Sequence, residues 1–84
     1  MADQVDISIT GINESGTLIV ITQVGPHVKN EGLGTIEFQF KDKFPKPDND
    51  DQFIKAKTDA LKKLIDKAKE EAVKKGFQNI INLE

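Results

Sequence analysis

The chain has one histidine, His27, in the stretch Gly25-Pro26-His27. An imidazole does acid–base or nucleophilic work when a nucleophile and an orienting acid stand beside it. The two serines are Ser8, in an alternating stretch, and Ser15, in a turn cluster; no spacing ties either to His27. Cysteine is absent, which removes thiolate nucleophiles, disulfides and thiolate zinc sites. Asp48-Asn49-Asp50-Asp51 opens like a calcium loop. Such a loop also needs glycine at its sixth position and glutamate at its twelfth, and here Phe53 and Asp59 stand there. A capping cluster ahead of a helix explains the same acids more simply. Gly32-Leu33-Gly34 is a fragment of a phosphate-binding loop without the remaining glycines or the lysine. No catalytic residue, metal site or cofactor is therefore expected, and an enzyme is the least supported class.

Charge gives the next clue. Lys55 to Lys75 carries eight lysines against four acids, a net of +4, whereas residues 1–54 carry four lysines against nine acids, a net of −5. A lysine-rich helix can lie on nucleic acid, here through Lys55, Lys62, Lys63 and Lys69. Acids interleave with these lysines, and the chain has no arginine, the preferred bidentate reader of phosphate and guanine. Nucleic-acid binding is accordingly a weak alternative. The acidic half suggests another: an inhibitor or decoy, of the kind phage and mobile elements encode, that offers Glu31, Asp42, Asp48, Asp50 and Asp51 to a basic site.

These residues need elements to position them. At 84 residues the chain forms one domain. Its longest apolar run, Leu18 to Ile21, is far short of the ~18 residues of a membrane span. With no leader-like start, a soluble cytoplasmic protein without membrane contact is expected. Val5, Ile7 and Ile9 alternate with Asp6, Ser8 and Thr10, which predicts a one-faced strand. Asn13-Glu14-Ser15-Gly16 reads as a four-residue or bulged hairpin turn into a second strand over 17–24. Residues 25–34 read as a loop, and Thr35 to Lys41 as a third strand with Ile36, Phe38 and Phe40 on one side. The sheet thus occupies 4–41, followed by a polar linker over 42–49.

A helix is predicted over 50–75, capped by Asn49 or Asp50, with a stripe of Ile54, Leu61, Leu64, Ile65, Ala68 and Ala72 widened by Phe53 and Ala60. Gly76 should end it. Acid-before-lysine pairs at four-residue spacing, such as Asp51–Lys55 and Glu71–Lys75, should support it. The tail 77–84 reads either as a short fourth strand through Phe77, Ile80, Ile81 and Leu83 or as a segment folded back on the core. The expected fold is α+β: a three-stranded antiparallel sheet followed by one long helix on one face.

The second strand breaks the alternation. Leu18, Val20, Thr22 and Val24 point one way, and Thr17, Ile19, Ile21 and Gln23 the other, so large aliphatics lie on both sides. Either this strand is central and the tail shields it, or Ile19 and Ile21 meet a partner. The leading expectation is a non-enzymatic module that binds a protein, or a second copy of itself, through its open sheet face or a sheet edge.

Overall fold

The computed structural model describes residues 3–25 and 34–83. Four strands and one helix follow in the order β1 (Gln4–Glu14), β2 (Thr17–Val24), β3 (Thr35–Pro45), α1 (Asp50–Lys74) and β4 (Ile80–Leu83). They form a single mixed sheet in the spatial order β3-β1-β2-β4. β1 pairs antiparallel with both β2 and β3, and β4 adds parallel to β2. The tail is thus a fourth strand, and β2 is an interior strand.

The hairpin between β1 and β2 is tighter than the sequence suggests. Glu14 pairs with Thr17, leaving Ser15 and Gly16 as a two-residue loop. Both have positive φ, 52° and 90°, the primed geometry whose twist matches the flanking strands. Asn13 Oδ1 accepts from the Gly16 N–H at 2.9 Å and closes the turn.

β3 departs from its expected pattern twice. Its pairing with β1 shifts between Gly11 and Ile12, so that Phe38 pairs with Gly11 while Ile36 pairs with Ile12. Glu37 is the extra residue of a bulge, and the bulge turns Ile36 away from Phe38 and Phe40. Ile36 is consequently 55% exposed rather than part of the core. The strand also runs on to Pro45, which shortens the linker to residues 46–49. Phe44, inside the expected linker, pairs with Val5 and is buried against the helix.

Helix α1 spans 25 residues, roughly 37 Å. Asn49 is its N-cap; its Oδ1 accepts from the Asp51 and Gln52 N–H groups at 2.7 and 3.2 Å. At the other end Gly76 has φ 78°, Gly76 N–H donates to Val73 O, and Phe77 N–H donates to Ala72 O. That is a Schellman motif, which returns the chain toward the sheet. Of the acid–lysine contacts on the helix, the one that forms is Glu71–Lys74 at 3.9 Å, three residues apart rather than four.

The buried stripe is Leu64, Ala68 and Ala72, flanked by Phe53, Ala56, Ala60, Leu61 and Ile65. Ile54, expected in this stripe, is 54% exposed. Phe53 takes the inward position of the first turn and packs on Phe44, with ring centroids 5.8 Å apart. From the sheet, Ile7, Ile9, Leu18, Val20 and Phe38 complete the core. The helix lies over β3 and β1 and barely touches β2. This offset decides which surfaces remain open.

Candidate functional site

The register defines the sheet face away from the helix. Residues paired across strands share a face, so Ile36, Ile12, Ile19 and Ile81 stand abreast on β3, β1, β2 and β4. Beside this row Gln39, Thr10 and Ile21 form the next, and Gln39 Nε2 donates to Thr10 Oγ1 at 3.0 Å. Farther along come Lys41, Ser8 and Gln23, and then Lys43 opposite Asp6. The open face therefore grades from an isoleucine cluster near the hairpin to a polar, mixed-charge end.

Exposure within the cluster is uneven. Ile12 is fully buried, Ile19 and Ile21 are partly covered, and Ile36 and Ile81 are about half exposed at 55% and 49%. Two aliphatics on β2 are thus flanked by strands on both sides, and β4 places Ile81 against Ile19. What stays open is the outer pair, Ile36 and Ile81, with the fully buried Ile12 and the partly covered Ile19 between them. The sequence singled out Ile19 and Ile21 by their break in alternation. Ile12 and Ile81 it did not: Ile12 lies past the clean Val5–Ile9 pattern, and Ile81 joins the face only through the parallel pairing of β4.

Asp48, Asp50 and Asp51 do not join this surface. All three are exposed at the start of α1, next to the β3 end where Pro45 pairs with Gln4. From Gln4 to Ile12 along β1 is roughly 27 Å, so the acids and the isoleucines lie at opposite ends of the sheet. Asp50 and Asp51 sit in the first helical turn, where the helix dipole favours negative charge. Asn49 uses its side-chain oxygen on the cap. His27, Glu31 and the Gly32-Leu33 pair lie outside the described residues. Among the described residues, no group of three His, Cys, Asp or Glu side chains converges in a way that would hold a metal ion. No described helix is long and apolar enough to cross a membrane.

The other face holds a crevice that the sequence does not announce. Because α1 is offset, a cavity of about 180 Å³ opens between it and the β2–β4 half of the sheet. Ile9, Val20 and Ile80 line one side and Ile65, Ala68 and Ala72 the other, with Thr22, Asn82 and Lys69 as the polar members. Comparison with protein-family models, with curated proteins and with solved structures returns no match for the chain.

Proposed function

We propose that this chain is a small protein–protein interaction module that works without catalysis and docks its partner on the sheet face opposite the helix. One observation carries the reading: isoleucines from all four strands, Ile36, Ile12, Ile19 and Ile81, align in one row on that face. Contiguous apolar surface rimmed by polar side chains is the usual anatomy of a contact patch. Here Gln23, Gln39 and Lys41 supply the polar side, while Thr10 is buried between them.

The partner best matched to this face is a second copy. Two such faces laid together would bury isoleucine on isoleucine, as in a sandwich with sheets ~10 Å apart. Strands of eleven, eight, eleven and four residues, at ~3.4 Å per residue and ~4.8 Å apart, give the whole face, polar end included, roughly 550 Å² per copy. That is below the ~800 Å² per partner of a standard interface, and it fits a weak, reversible association. Light scattering across a concentration series tests it. The native chain should gain mass with concentration, and Ile36→Lys and Ile81→Lys should not. Both side chains are half exposed, so the variants should keep the native circular dichroism spectrum. A native chain that stays monomeric at millimolar concentration would refute self-association. Equal masses for native and variant chains would refute the face.

The decoy reading has less support: two of its acids, Asp50 and Asp51, are accounted for by the first turn of α1. The lysine-helix reading has the interleaved acids against it, as before.

A further inference from the structure

We infer that the crevice between α1 and the β2–β4 half of the sheet is a binding site for a small organic anion with an apolar tail, such as a short-chain carboxylate. This inference is independent of the open face, which lies on the other side of the sheet. Ala68 and Ala72 on the helix and Ile9 and Val20 on the sheet form its buried floor, and Ile65, Thr22, Ile80 and Asn82 form its more open walls. Its walls are almost wholly apolar, yet it is open to solvent along the β4 side, where Ile80 is 46% exposed.

Apolar concavities with a few convergent polar groups are the common form of small-molecule sites. At about 180 Å³ this one holds a ligand of only some ten heavy atoms or fewer. The charge of the lining selects the ligand's head group. Lys69 is its one charged residue; no Asp or Glu is among the nine residues that line it. Among the described residues, no carboxylate lies within ion-pair distance of Lys69. Asn82 and Thr22 add neutral hydrogen-bonding groups on the strand side. An alkyl chain lying between Ile65 and Ile80, over the buried Ala68 and Ala72, with its carboxylate within reach of the exposed Lys69 side chain, would meet both the apolar walls and the one cation of the lining.

Nuclear magnetic resonance titration with hexanoate, hexanol and hexylammonium tests this on the full chain. Hexanoate should shift the methyl signals of Val20, Ala68, Ala72 and Ile80 and saturate in the low-millimolar range. Hexanol should bind more weakly and hexylammonium weaker still. Lys69→Glu should weaken hexanoate roughly tenfold, and Lys69→Arg should retain it. Ala72→Leu should abolish the shifts. Should Ala72→Leu fail to fold, Ile80→Trp fills the same crevice from the exposed strand. Three results would overturn the inference: no shifts, shifts confined to other surfaces, or equal shifts from all three probes. A fall in self-association on filling the crevice would also overturn it, since the crevice would then belong to a partner chain.

Discussion

Gly11 is where the sheet admits no side chain. A Cβ built there would overlap the ring of Phe38, its pairing partner on β3. That ring is buried and packs at 5.5 Å from Phe40, so it has little room to retreat. Gly11→Ala should therefore destabilise the fold by about 1–3 kcal/mol, read by urea denaturation. Far-ultraviolet circular dichroism is the natural probe, because the chain has no Trp or Tyr. Adding Phe38→Leu should recover part of that loss; no recovery would mean that the glycine serves the bulge next to it rather than the ring. The hairpin makes the opposite prediction. Ser15 holds φ 52°, a conformation Asn tolerates better than Ser. Ser15→Asn creates the Asn-Gly pair this turn prefers and should raise stability by about 0.5 kcal/mol. The sequence marked the glycine of that turn, but the loop's length followed from pairing, since Asn13 and Glu14 look like turn residues and still join the ladder.

At the scale of elements, strong periodicity was legible and interruptions were not. The helix boundaries, the Asn49 cap and the Gly76 stop follow from local chemistry that needs no partner. The first-turn orientation does not: Phe53 and Ile54 both satisfy an apolar stripe, and Phe44 decides between them. Since Phe44 lies among Lys41, Asp42, Lys43 and Pro45, its strand was hidden. An edge strand is allowed such residues, because charges and proline there block unwanted pairing. The bulge at Glu37 was equally silent, because Ile36, Phe38 and Phe40 alternate perfectly in sequence. Of the candidate site, Ile19 and Ile21 were legible and the isoleucines that complete their face were not, because register joins them. Substitutions on the helix separate the two kinds of position. Leu64→Ala, at a site 1% exposed, should cost about 2–5 kcal/mol. Ile54→Ala, at a site 54% exposed, should change stability by less than ~0.5 kcal/mol in the same denaturation series.

Across the whole molecule the two edges of the sheet differ. β3 ends one side with eleven residues and its charged, proline-ended stretch. β4 ends the other with four residues, Ile80 to Leu83, and it covers only Leu18 to Ile21 of β2. Held by one neighbour and untouched by the helix, β4 should open before the rest of the sheet. In a hydrogen-exchange time course its amides, and the Leu18 amide that donates to Asn79 O, should exchange well ahead of those of Ile7 and Ile9 on β1. Uniform protection across all four strands would show instead that the sheet opens as one unit.

The same arrangement has a consequence on the ribosome. β2 is complete at Val24, while its parallel neighbour starts at Ile80, so 55 residues must be translated in between. At ~5–20 residues per second that interval is roughly 3–11 s. Throughout it, the nascent chain carries an aliphatic strand with one bare edge, and the isoleucine of β4 that will stand beside Ile19 has not yet been made. Sheet completion therefore waits for β4, which follows the other four elements in chain order. Until then the β2 edge is open to a chaperone or to another nascent copy.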